Sequence, residues 1–297
     1  MRLEKPCERR VLRTGALEIP TFMHIKKPIL SIVEILVSPL LFFWFSCLTR
    51  FHSSRIPCEP IPRNIFQTWK SDNELTERQR AAQKSWREFN PGWGYSFYDD
   101  TRSEEFVKEF YSDYYKVWPI LTPVERADLW RYLIVHKYGG VYADIDTVCL
   151  RSLDDVIDSE IDMVMFFETF KFEPPFVFPM WVQWFFGSTP NNPIMLEVCD
   201  EIVTRLSESP PVDWVKSRPG LKTLYVTGPF VWSKIINRIW RDSRSRKRIR
   251  IFWPVQILTW IRLRYSTKKK KNCRDRIFLR LLGRTPVVHY GQNSWRQ

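Results

Sequence analysis

The stretch from Thr122 to Asp146 constrains this chain most, because it dictates a helix, a glycine stop, a strand and a carboxylate pair in unbroken succession. Thr122-Pro-Val-Glu125 is a helix start. Thr serves as N-cap, Pro takes the first helical position, and Glu three residues after the Thr closes a capping box. The helix runs through Leu129, Trp130, Leu133, Ile134 and Val135 and stops at Gly139-Gly140, where glycine suits a left-handed cap. Asp128 and Arg131, three apart, share one face of an otherwise largely apolar helix, as a structural ion pair or as site groups. Val141-Tyr-Ala143 reads as a brief buried strand that delivers Asp144 and Asp146 at its end. In open α/β sheets ligands bind beyond the carboxyl ends of strands. Two carboxylates at i and i+2 suit a hard divalent cation, Mn2+ or Mg2+, with coordination positions left for phosphate oxygens and water.

The rest of the chain alternates in the same manner. Strand-like runs (64–69, 95–98, 162–167) interleave with helical ones (76–89, 103–111, 193–206, 229–240), which predicts an α/β sheet. At 297 residues and 44% hydrophobic, the chain can bury one substantial domain. The aromatic run Phe176–Phe186 is too short to span a bilayer. Three readings stay open for it: an acceptor-side wall, core packing, or contact with a membrane interface.

The N-terminus sets the expected compartment. Pro28 to Leu48 is apolar and long enough to cross roughly 30 Å of hydrocarbon as a helix, with Glu34 and Pro39 as imperfections. Arg2, Lys5, Arg9, Arg10, Arg13, Lys26 and Lys27 precede it, against Glu4, Glu8 and Glu18. The positive-inside rule leaves residues 1–27 as a cytosolic basic tail, 28–48 as a transmembrane signal anchor, 49–60 as a short stem and 61–297 in the lumen. The basic stretch ahead of the apolar run is too long for a cleaved signal peptide. Cys149 follows the diacidic loop closely and is expected buried and unpaired. Net charge is +13, concentrated in Arg241–Arg250 and Arg262–Arg280. These runs read as solvated loops or as attraction to anionic membrane or acidic glycan. No nucleic-acid motif accompanies them, so no nucleic-acid partner is expected.

Arg126-Ala-Asp-Leu-Trp-Arg-Tyr132, followed by Tyr138-Gly-Gly-Val-Tyr-Ala-Asp-Ile-Asp146, resembles the sugar-binding Asp-x-Asp region of glycosyltransferase family 32. Ile61-Pro-Arg-Asn-Ile-Phe-Gln-Thr-Trp69 resembles that family's opening strand, with Phe66 where His is usual. Trp181-Val-Gln-Trp-Phe-Phe-Gly-Ser-Thr-Pro-Asn-Asn-Pro-Ile194 and Thr227-Gly-Pro-Phe-Val-Trp232 look most like the fungal initiation-specific α-1,6-mannosyltransferases. Val288-His-Tyr-Gly-Gln-Asn-Ser-Trp295 resembles the closing signature.

The resemblance implies a GT-A-type, Rossmann-like domain behind the anchor, in a single-pass type II Golgi membrane protein. It implies a retaining hexosyltransferase using a nucleotide sugar, GDP-mannose above others, on a glycan acceptor. Mannosyl or galactosyl transfer to a sphingolipid, or a silent anchored glycan-binding protein, are the alternatives. Asp146 would be the principal metal ligand, with Asp144 on the metal through water or on the donor's hydroxyls, and His289 a third ligand. Asp128 and Arg131 match donor-contacting positions. Trp69 is a candidate for stacking on the nucleobase, with core packing as the rival reading. Ser294 and Trp295 would close a lid over the diphosphate. No nucleophile is assigned, although Glu168 lies in a suitable apolar stretch.

Overall fold

A computed structural model describes residues 60–173, 176–208, 219–241, 249–252 and 286–289. The proposed tail, anchor and most of the stem lie outside the described residues, as do Ser294, Trp295 and most of the basic 241–280 region. Among the described residues no helix is long and apolar enough to cross a membrane.

The strands are β1 (Asn64–Thr68), β2 (Gly94–Tyr98), β3 (Gly140–Ala143), β4 (Thr147–Cys149), β5 (Met163–Glu173), β6 (Phe176–Ser188), β7 (Ile249–Phe252) and β8 (Val287–His289). The principal helices are α1 (Glu77–Phe89), α2 (Asp100–Phe110), α3 (Pro123–Tyr138), α4 (Pro193–Ser207), α5 (Pro219–Val226) and α6 (Pro229–Arg241). Six strands form a mixed sheet in the order β2-β1-β3-β6-β5-β7, and β4 pairs with β8 in a separate two-stranded ribbon. Strands β1, β2 and β3 run parallel, β6 runs antiparallel to both β3 and β5, and β7 is parallel to β5. The expected α/β class holds.

Side chains alternate across the sheet, as strand geometry requires. Phe66, Tyr142, Met163, Met165, Trp181 and Phe186 pack with α3, α4 and α6 on one face. Ile65, Val141, Val164, Phe166, Val182 and Phe185 pack with Trp86 of α1 on the other. The aromatic run 176–186 is therefore largely core: the described residues Trp181, Val182, Phe185 and Phe186 are buried in a strand covered on both faces. That outcome favours the packing reading over an acceptor wall or a membrane contact.

The local signals of α3 operate as read. Thr122 Oγ1 accepts from Glu125 N, and the Glu125 carboxylate accepts from Thr122 N at 3.0 Å, closing the capping box. Such caps contribute about 1 kcal/mol. At the other end Gly139 has φ 62° and Gly140 φ 112°. A Cβ on Gly140 would sit 2.6 Å from the Asn64 carbonyl oxygen, so only glycine lets the chain leave α3 and enter β3 beside β1. Two boundaries differ clearly from expectation: α2 begins at Asp100, because the Asp99 side chain caps Arg102 N, and β5 runs on to Glu173, because it pairs with β6 as far as Phe176.

Candidate metal and sugar-nucleotide site

Strand β3 ends at Ala143, and the chain turns through Asp144-Ile145-Asp146 into β4. The turn is pinned from three sides. Asp144 N donates to the Trp184 carbonyl of β6 at 2.8 Å. The Asp144 carbonyl accepts from Gln67 Nε2 of β1 at 3.0 Å and from Thr147 Oγ1 at 2.5 Å. Ile145 is buried between the two acids, so the turn is locked into the core while both carboxylates face the site. The Trp86 indole of α1 donates to the Thr147 carbonyl at 3.0 Å and fixes the start of β4.

The β4–β8 ribbon then brings in a residue from far along the chain. Thr147 is in register with His289, and His289 Nε2 lies 3.0 Å from Asp146 Oδ1. Asp144, Asp146 and His289 offer three ligand atoms that all lie within 4.8 Å of one another. The His289 ring stacks on Trp184, with centroids 5.0 Å apart and planes 15° off parallel. Burial alone pushes the His289 pKa down, but the hydrogen bond to Asp146 and the charges of Asp146, Asp144 and Glu168 outweigh it and hold it above 6.5.

The helix pair is buried and tied to the same loop. Arg131 Nη2 donates to Asp128 Oδ1 at 2.7 Å, and Arg131 Nη1 lies 3.4 Å from Asp144 Oδ1. Arg131 also donates to the Ala127 and Gln183 carbonyls and lies over the Tyr142 ring. Tyr142 Oη donates to Asp144 Oδ1 at 2.5 Å. Burial lifts Asp128 above the ordinary carboxylate range, while Arg131 and the Thr227 hydroxyl pull against that rise. The structural and site readings of this pair are therefore not alternatives, because one guanidinium serves both carboxylates.

Of the residues expected at the site, Asp128, Arg131, Asp144, Asp146 and His289 come together. Trp69 is half-buried just past the end of β1, where its N–H bonds to the Tyr98 carbonyl. Gln67 of the same strand reaches the diacidic turn, which places Trp69 at the carboxyl edge of the sheet. Five residues were not anticipated: Gln67, Tyr142, Gln183, Trp184 and Thr227. All five lie in segments that carry the family resemblance, yet nothing in a segment's own sequence says which distant side chain its polar atoms will meet.

Residues 76–162 match the family described as "Glycosyltransferase sugar-binding region containing DXD motif", and Asp144 and Asp146 lie within that match. The chain is 31% identical over 205 residues to inositol phosphoceramide mannosyltransferase 3 of Schizosaccharomyces pombe, covering 65% of this chain and 49% of that one. It is 34% identical over 114 residues to the initiation-specific alpha-1,6-mannosyltransferase of Candida albicans, covering 36% of this chain and 29% of the relative. The chain thus spans about half the length, or less, of these curated relatives. Among solved structures it is similar to the PaToxG glycosyltransferase, at 14% identity and a TM-score of 0.47, covering 81% of this chain and 92% of that one.

Proposed function

We propose that this chain is a metal-dependent glycosyltransferase of GT-A type that moves mannose from a nucleotide sugar, GDP-mannose, with retention of configuration. The observation that carries the reading is the convergence of Asp144, Asp146 and His289, with Arg131 against Asp144. Two carboxylate oxygens and one imidazole nitrogen suit Mn2+ better than Mg2+, which favours all-oxygen shells. Their 4.8 Å spread fits one ion at about 2.0–2.6 Å from each atom. Bound there, the ion would neutralise the donor's diphosphate and stabilise the charge on the departing nucleoside diphosphate.

The protein's own groups supply the remainder. Asp146 and His289 face each other as ligands, and Asp144 is oriented by Tyr142 and Arg131. Arg131 contributes fixed positive charge beside the leaving group, where preorganised charge acts most strongly. Trp69 is assigned to the nucleobase, and Ser294 with Trp295 to closure over the diphosphate. The segment 28–48 is assigned as the anchor of a single-pass Golgi protein whose catalytic part is lumenal.

For the acceptor, the match to an inositol phosphoceramide mannosyltransferase, at 31% identity over 205 residues against 28% over 199 for the initiation-specific alpha-1,6-mannosyltransferase of Schizosaccharomyces pombe, supports a phosphoinositol sphingolipid as the first acceptor to test. The test is product analysis. The full chain in detergent, with Mn2+ and a panel of nucleotide sugars, is offered both acceptors. Mannosylated inositol phosphoceramide supports the lipid reading, and an α-1,6-mannosylated glycan supports the other. Absence of turnover with every donor would sink both.

A further inference from the structure

The two blocks quoted for resemblance alone, Trp181–Ile194 and Thr227–Trp232, converge on one carboxylate. Gln183 Nε2 donates to Asp128 Oδ1 at 2.8 Å, and Thr227 Oγ1 donates to Asp128 Oδ2 at 2.7 Å. Tyr132 Oη donates to Gln183 Oε1 at 3.2 Å, so the amide's oxygen is engaged and its NH2 is the end turned to Asp128. With Arg131 Nη2 on Oδ1, both oxygens of Asp128 are taken up by protein donors. Asp128 is 2% exposed and Thr227 fully buried.

A carboxylate so enclosed does not present itself to a sugar. It presents a fixed acceptor to Arg131, whose other terminal nitrogen lies 3.4 Å from Asp144. We propose that Thr227 and Gln183 are positioning residues: they clamp Asp128 from strand β6 and from the turn before α6, Asp128 sets the guanidinium plane of Arg131, and Arg131 sets the Asp144 carboxylate that faces the metal. The alternative is a hydrogen-bonded core polar group that matters only for folding. The two differ in where a loss is felt. A clamp acting through Arg131 changes ion affinity and couples to Asp128, whereas a folding role changes stability alone.

The proposal rests on the metal-site reading above, and its test does not require turnover. Mn2+ affinity of the full chain is measured by titration for the unaltered protein, Thr227→Val, Thr227→Ser, Asp128→Asn and the Thr227→Val/Asp128→Asn double variant, with melting temperatures alongside. Removing a hydrogen-bond partner behind a ligand typically weakens metal affinity ~10–100-fold. Thr227→Val, which acts on the ligand through Asp128 and Arg131, is expected to weaken Mn2+ affinity by the lower end of that range or less, and Thr227→Ser to stay near the unaltered protein. The double variant should be no weaker than Asp128→Asn alone, because both act on one path.

Should Thr227→Val fail to fold, Gln183→Met, which removes the other donor at similar length, carries the same comparison. Unchanged Mn2+ affinity in a folded Thr227→Val or Gln183→Met protein, or losses that multiply in the double variant, would overturn the clamp and leave the metal site standing. An unaltered chain that binds no Mn2+ would overturn the reading beneath it and the clamp with it.

Discussion

His289 Nε2 and Asp146 Oδ1 lie 3.0 Å apart, joined because β8 pairs antiparallel with β4 immediately after the diacidic turn. With an ion bound as proposed, the proton on His289 would compete with the metal for the ring, so binding there would depend on pH. The folded pKa of His289 is held above 6.5, so the His289–Asp146 ion pair stabilises the metal-free protein below the unfolded pKa. That contribution is lost as pH rises through the folded pKa. Metal ligation needs the neutral ring, so Mn2+ affinity runs the other way and climbs over the same window. Titration near pH 6 and near pH 8 should show weaker binding at the lower pH, by at most about tenfold per pH unit for this one proton. Affinity with no pH dependence would remove His289 from the ligand set.

Arg131 is the only cation the structure places against both Asp128 and Asp144 among the described residues. Arg131→Met strands a buried carboxylate, and breaking a buried pair in this way costs about 3–5 kcal/mol. Denaturant unfolding should show a loss of that order. Asp128→Asn combined with Arg131→Met should recover part of it, since the stranded charge is then gone. No recovery would indicate that packing over Tyr142 dominates over charge.

Gly140→Ala tests the passage from α3 into β3. A Cβ there meets the Asn64 carbonyl at 2.6 Å on a backbone with φ 112°. A loss of about 1–3 kcal/mol is expected from backbone strain, with further loss from the clash. Gly92→Ala, where a Cβ meets nothing within 4 Å, is the control and should stay within about 0.5 kcal/mol. Equal melting temperatures for the two variants would contradict the packing described.

What the sequence revealed and what it hid divide along the range of the interactions. Helix α3 was legible to the residue, because Thr122, Glu125 and Gly139 act within one helical turn. The Asp144–Asp146 turn was legible because an apolar strand led into it. Gln183 and Thr227 were not, since they meet Asp128 across 55 and 99 residues of chain, and no local pattern encodes such a meeting. The aromatic run was undecidable for a related reason. A strand buried on both faces loses the alternation that marks a surface, so core and binding wall read alike until β6 is found between β3 and β5.

On the proposed reading, Asp144, Asp146 and His289 form a metal site that serves glycosyl transfer. The most direct measurement is Mn2+-dependent release of GDP from GDP-mannose by the full chain beside its Asp146→Asn variant, with melting temperatures confirming that both are folded. Turnover that EDTA abolishes and Mn2+ restores is expected, together with a loss of at least ~100-fold in Asp146→Asn. Turnover that persists in EDTA, or that a folded Asp146→Asn protein retains in full, would contradict that reading.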